Sequence, residues 1–97
     1  LPAYWRKQIE FKGYTTSLFV DNLLLKNKNF PLEKRSKLLK EKSEYINSHF
    51  TSSSYYFMWI FGVQNQLNYV VELILQEKLE EKDEFYKFIK SAFEKSC

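Results

Sequence analysis

Residues 31–49 read PLEKRSKLLKEKSEYINSH, and this stretch decides the fold class of the chain. Leu32, Leu39 and Ile46 recur at seven-residue intervals, which places their side chains on one side of an α-helix. Pro31 suits the first turn of a helix, where its missing N–H is not needed. Lysines and glutamates occupy most of the other side, so the pattern predicts an amphipathic helix over residues 31–49.

The same spacing continues toward the amino terminus. Large apolar side chains recur every seven residues at Tyr4, Phe11, Leu18 and Leu25. This pattern predicts a helix over residues 3–28. Gly13 weakens the prediction, because a glycine inside a helix costs about 1 kcal/mol relative to alanine. We therefore expect the first helix to bend, or to break into two, near Gly13.

Two further helices are predicted in the C-terminal half of the sequence. Hydroxyl side chains at residues 51–54 can cap a helix, and the apolar periodicity that follows predicts a helix over residues 54–80. A β-strand over residues 55–63 is the alternative, because Tyr, Phe, Trp and Ile also favour sheets. Polar residues from Gln64 onward make this segment unsuitable as a membrane span. A short acidic connection then leads to a last predicted helix over residues 84–96.

Together these elements predict one all-α domain over residues 1–97, a small bundle of about four mostly antiparallel helices. The chain has only two glycines and two prolines, too few for the many turns of an all-β domain. It begins without methionine, so we expect a domain excised from a longer protein. Its single cysteine, Cys97, cannot form an internal disulfide, and we expect an intracellular, cytoplasmic location, with a nuclear one left open.

No catalytic or metal-binding constellation is recognisable in the sequence. Catalysis with a histidine base needs a histidine near a nucleophile, and His49 is the only histidine. Zinc sites gather several Cys or His ligands, and phosphate-binding loops need closely spaced glycines. We therefore expect a non-enzymatic protein without a catalytic residue, a metal ion or a cofactor. A small-ligand pocket lined by rings, with Glu72, Gln76 or His49 as polar groups, is the alternative.

Aromatic residues are unusually abundant, since nine Phe, seven Tyr and two Trp make up 19% of the chain. One small core cannot enclose so many rings, so we expect some on the surface, where clustered rings mark protein contacts. The sequence predicts a partner-binding surface for another protein or a second copy of the chain, made of Tyr4, Trp5, Tyr55, Tyr56, Phe57, Trp59 and Phe61. A ring-rich core with scattered exposed rings is the alternative.

A lysine-rich segment spans residues 26–42, which hold seven bases and two acids. The candidate basic patch within it comprises Lys34, Arg35, Lys37 and Lys40. Such a patch can steer an acidic protein partner or neutralise nucleic-acid phosphates, and it also occurs as a plain solvated helix face. Arginine, which dominates base recognition, is nearly absent from the chain. We therefore expect a protein–protein interaction module, with a nucleic-acid-binding domain as the alternative.

Overall fold

The architecture comes from a computed structural model, which describes the backbone of residues 2–51 and 62–96 and the side chains of residues 9–49 and 62–96. Every regular element in these ranges is an α-helix: α1 (Pro2–Asn27), α2 (Leu32–Thr51), α3 (Val63–Leu75), α4 (Leu79–Lys82) and α5 (Glu84–Ser96). The predicted all-α fold is therefore confirmed. The described residues form five helices instead of about four, because the short α4 is a separate element.

The first helix is continuous through Gly13, so the break that we expected there is wrong. Gly13 is exposed, and no heavy atom lies within 4 Å of the position that a Cβ atom would take. Phe11 and Tyr14, on either side of the glycine, both pack against the core. This packing outweighs the roughly 1 kcal/mol that a glycine costs inside a helix.

The turn between α1 and α2 is built around Asn29, which adopts a left-handed backbone conformation with φ of 66°. The N–H of Phe30 donates to the Leu25 carbonyl at 3.0 Å, and the N–H of Asn29 donates to the Lys26 carbonyl at 2.9 Å. This pair of bonds is a Schellman motif, which satisfies the last carbonyls of a helix. The chain reverses there, and α2 packs back along α1.

A second left-handed residue, Glu77 with φ of 59°, ends α3 in the same way. The N–H of Lys78 donates to the Leu73 carbonyl at 2.8 Å. The predicted helix over residues 54–80 is therefore wrong at its C-terminal end, because α3 stops at Leu75. The turn allows Leu79, in α4, to become buried. The predicted start of that helix lies outside the described residues.

Helix directions follow from contacts between polar side chains. Arg35, near the start of α2, contacts Asn22 in the second half of α1. Lys42, further along α2, contacts Ser17, which comes before Asn22 in α1. The two helices are therefore antiparallel. In contrast, α5 runs parallel to α1. Two contacts establish this direction: Lys12 with Asp83, and Thr16 with Tyr86. The short α4 reverses the chain after α3 and makes the parallel arrangement possible.

One apolar cluster joins α1, α2, α3, α4 and α5. Its most deeply buried members are Leu18, Leu39, Ile46, Val63, Leu67, Val71, Ile74 and Tyr86. Three of the residues from the predicted seven-residue repeats, Leu18, Leu39 and Ile46, are thus confirmed as core residues. None of the described helices is both long enough and apolar enough to cross a membrane.

Candidate interaction surfaces

The seven predicted partner-binding rings lie outside the side chains that the structure describes. Tyr4 and Trp5 belong to the backbone range of α1, and the other five rings, Tyr55, Tyr56, Phe57, Trp59 and Phe61, fall in the segment between α2 and α3. The predicted aromatic surface therefore stays a prediction. The surfaces described below are formed by other residues.

Arg35, one of the four predicted basic-patch residues, holds α2 against α1. Its Nη1 donates to the Oδ1 of Asn22 at 2.9 Å, and its Nε donates to the Phe30 carbonyl at 3.1 Å. Asn22 is only 3% exposed, so Arg35 is the partner of a buried amide. Lys37 and Lys40 on α2 are both exposed.

Other bases of the lysine-rich segment are also engaged. Lys42 pairs with Asp21 and donates to Ser17, which joins α2 to α1. Lys26 pairs with Glu77 at 3.1 Å. The Nζ of Lys34 lies 5.1 Å from the centre of the Phe30 ring. Several charges of this segment therefore serve packing between elements, and the free positive charge is smaller than the sequence suggests.

An open apolar groove of about 320 Å³ runs between α1 and α2. We call it the leucine groove, and it is lined by Leu24, Leu25, Leu38 and Leu39, with Asp21 and Lys28 at its rim. Leu24 is 42% exposed and Leu38 is 36% exposed. The Asp21 carboxylate is paired with Lys42, whereas Lys28 makes no ion pair with any described residue. The groove is thus apolar at its floor and positive at one end.

In contrast to the leucine groove, α5 carries a protruding surface, because two rings project from the helix. Phe88 is 70% exposed, and Phe85, one turn earlier on the same side, is 45% exposed. We call these two residues, with Glu84 one turn before Phe88, the phenylalanine ridge. Glu84 forms no ion pair within the described part of the chain. The ridge therefore combines exposed aromatic surface with the unpaired negative charge of Glu84 near Phe88, while the Lys12 ammonium, which pairs with Asp83, lies 4.9 Å from the centre of the Phe85 ring.

Four charged side chains meet where α1, the end of α3 and α5 come together. Lys26 and Lys90 both contact the Glu77 carboxylate, and Lys90 also contacts Glu80 at 3.2 Å. The hydrogen bonds from Lys26 and Lys90 lower the pKa of Glu77. Burial opposes the charged form of Lys90, but its bonds to Glu80 and Glu77 raise its pKa overall. The Glu77 and Glu80 carboxylates are therefore neutralised by these lysines, and the ion pairs join the elements that carry them.

The three polar residues considered for a ligand pocket are not brought together. Glu72 lines a polar cleft of about 390 Å³ between α2 and α3, with Lys40, Glu44 and Asn68. Gln76 follows the end of α3, and the ring of His49 packs edge-on against Tyr45 at 4.6 Å. Among the described residues, no group of three or more His, Cys, Asp or Glu side chains could hold a metal ion.

Neither the leucine groove nor the phenylalanine ridge was predicted from the sequence, although the leucine runs that form the groove are visible in it. Residues 23–25 are three leucines in succession, and residues 38–39 are two. Consecutive residues are about 100° apart on a helix, so successive leucines spread beyond the centre of one face and favour exposure of one member. No protein-family model, curated protein or solved structure matches this chain.

Proposed function

We propose that this chain is a non-enzymatic interaction module that binds another protein, or a second copy of itself, through exposed apolar and aromatic side chains. The observation that carries the proposal is the exposure of Phe88 beside Phe85 on one side of α5. Removing apolar surface from water contributes about 25 cal/mol for each Å² buried. Exposed rings that lie next to each other are therefore a common basis for protein contacts.

The described helices support the expectation that rings are in excess. Besides Phe85 and Phe88, the rings of Tyr45 and Tyr69 are more than half exposed. The described core thus already leaves four rings at the surface. On this basis we keep the aromatic run of residues 55–61, together with Tyr4 and Trp5, as part of the proposed contact surface. An intracellular location fits this proposal, because a single cysteine forms no internal disulfide and therefore does not require an oxidising compartment.

Nucleic-acid binding is the second proposal, and the described contacts favour it less. Arg35 and Lys42 are committed to α1 and Lys26 to Glu77, which leaves Lys28, Lys34, Lys37 and Lys40 to contact phosphates. Three glutamates, at positions 33, 41 and 44, alternate with the lysines of α2. Retardation of a DNA or RNA probe at low salt, lost in the double variant Lys34→Glu and Lys37→Glu, would favour this function over a protein partner.

Tryptophan fluorescence tests the proposed contact surface, because Trp5 and Trp59 are the only tryptophans. Quenching by acrylamide and the mass from light scattering should be measured together at low and high protein concentrations. For self-association, we expect the mass to rise and quenching to fall together. Exposed tryptophans in a monomer would support a different protein as partner. A monomer whose tryptophans are already shielded from acrylamide would contradict the proposal.

A further inference from the structure

We infer that copies of this chain associate head to tail, with the phenylalanine ridge of one copy seated in the leucine groove of the next. The inference rests on the proposed function and deepens it, because it names the partner as a second copy and names both contacting surfaces. It uses only described residues. The aromatic run of residues 55–61 plays no part in it.

The two surfaces match in shape. Phe88 projects from the side of α5 opposite Tyr86, which is buried in the core at 2% exposure. The groove presents an apolar floor between two helices, with Leu24 and Leu38 partly open to solvent. A ring that projects from a helix can therefore enter a trough lined by leucines. Contact would remove apolar surface of both copies from water, which is the main driving force for association.

The two surfaces also match in charge. Lys28 lies at the rim of the groove, and Lys34 lies one turn before Leu38 on α2. Glu84 lies one turn before Phe88 on α5. Lys28, Lys34 and Glu84 form no ion pair with one another or with another described residue. Opposite charges on two such surfaces steer their encounter and fix their relative orientation.

The ridge cannot fill the groove of its own chain. Helix α5 packs on the side of α1 that carries Lys12 and Thr16. Helix α2, which forms the other wall of the groove, packs on the side that carries Ser17 and Asp21. Lys12 and Asp21 are nine residues apart in the sequence, which places them on opposite sides of the helix. The groove is therefore available to a ridge from another copy.

A contact between two different surfaces has a definite consequence for assembly. Each copy in a pair still offers one free groove or one free ridge, so further copies can add. Such a heterologous contact either closes into a ring or grows into an open chain. A two-fold symmetric dimer would instead use the same surface on both copies.

Two variants test this arrangement when they are measured alone and then mixed. Leu38→Glu blocks the groove and leaves the ridge intact, whereas Phe88→Glu removes the ridge and leaves the groove intact. We expect each variant alone to associate at least about tenfold more weakly than the natural chain, because the new carboxylate would be buried without a partner. The equimolar mixture should form a 1:1 complex and nothing larger, because only one intact pair of surfaces remains.

Tyr69→Glu is the matched control, because it replaces an exposed ring on α3 outside both surfaces. It should associate like the natural chain. Circular dichroism establishes that each variant keeps its helices. A natural chain that stays monomeric, variants that associate like the control, or a mixture without a 1:1 complex would each overturn the inference. Tryptophan quenching that still falls with concentration in both variants would leave the proposed function standing.

A charge exchange gives a second test that does not disturb packing. Lys28→Glu alone should self-associate more weakly than the natural chain, and Glu84→Lys alone should do the same. When these two variants are mixed, the carboxylate introduced at position 28 of one copy faces the ammonium group introduced at position 84 of the other. The natural ridge and natural groove left in the mixture form 1:1 pairs on their own, so the exchanged pair is tested by growth beyond 1:1. We expect the mixture to form such larger assemblies, and a mixture that stops at 1:1 would overturn the inference. Equal association of all samples at low salt would show that the two positions do not face each other, and would overturn the inference.

Discussion

Gly13 occupies a helical position in the middle of α1 with open space around its missing Cβ. We predict that Gly13→Ala raises the free energy of unfolding by about 0.5 to 1 kcal/mol, because alanine is less flexible in the unfolded chain and fits the helix without a clash. Urea denaturation measures the change. Gly62→Ala is the control, since Gly62 is an N-cap, where alanine is not favoured. A loss of stability in Gly13→Ala would indicate that α1 bends there after all.

Arg35 illustrates how a residue of the predicted basic patch acquires a structural task. We predict that Arg35→Ala lowers the free energy of unfolding by about 1 to 3 kcal/mol, because the buried Oδ1 of Asn22 loses its donor. Lys37→Ala, on the exposed side of the same helix, should change the stability little. Thermal or chemical denaturation compares the two variants. Equal effects would mean that the Arg35 bond to Asn22 contributes nothing to folding.

At the scale of the element, Asp83 connects the end of α4 to the start of α5. Its Oδ1 accepts a bond from the N–H of Phe85 at 2.9 Å, and its Oδ2 accepts one from Lys12 at 3.1 Å. We predict that Asp83→Ala lowers the melting temperature more than Asp83→Asn, because asparagine also caps a helix but cannot pair with a lysine. Equal melting temperatures for both variants would show that the cap does not hold α5 in place.

Local sequence patterns predicted the helices better than their ends. The helix expected over 31–49 corresponds to α2, and the one expected over 84–96 corresponds to α5. Apolar periodicity is a property of each segment alone, so it can be read before the fold is known. The end of α3 depends on Glu77 adopting a left-handed conformation that glutamate rarely takes. The turn accompanies the burial of Leu79, a tertiary contact that the segment alone does not reveal.

The groove and the ridge could not be predicted in the same way, because they depend on how helices pair. Leu24 and Leu38 belong to separate helices and form one groove only when α2 folds back along α1. Phe85 and Phe88 are exposed because other residues of α5, Tyr86 and Phe93, take the inward positions. Sequence patterns predict that rings are in excess, whereas only tertiary packing decides which of them stay at the surface.

At the scale of the whole molecule, the stability should depend on pH through the charged side chains that join its helices. The pKa of Glu77 is lowered by Lys26 and Lys90, and that of Asp83 is lowered by the Phe85 N–H and then by Lys12. Folding therefore favours the ionised carboxylates. Their contribution is complete above the ordinary carboxyl pKa of about 4 and is lost as the pH falls through the lower folded values.

We predict that the melting temperature falls as the pH drops below about 4, and that Glu77→Gln reduces this dependence. The contribution of Lys90 to stability has the opposite pH dependence, because the pKa of Lys90 is raised above 10.5 in the folded chain. Its contribution is present below that value and is lost as the pH rises above it. Melting curves from neutral to acidic pH test the first part. An unchanged melting temperature down to a pH of about 2 would contradict it.

Contact between Lys28 of one copy and Glu84 of another tests the central claim most directly. Copies carrying Lys28→Cys and copies carrying Glu84→Cys, both with Cys97→Ser to remove the natural thiol, should be mixed under mild oxidation and separated by mass. The head-to-tail arrangement predicts that disulfide-linked pairs contain one copy of each kind and form faster than pairs of identical copies. Equal rates for mixed and identical pairs, or pairs of identical copies alone, would contradict it.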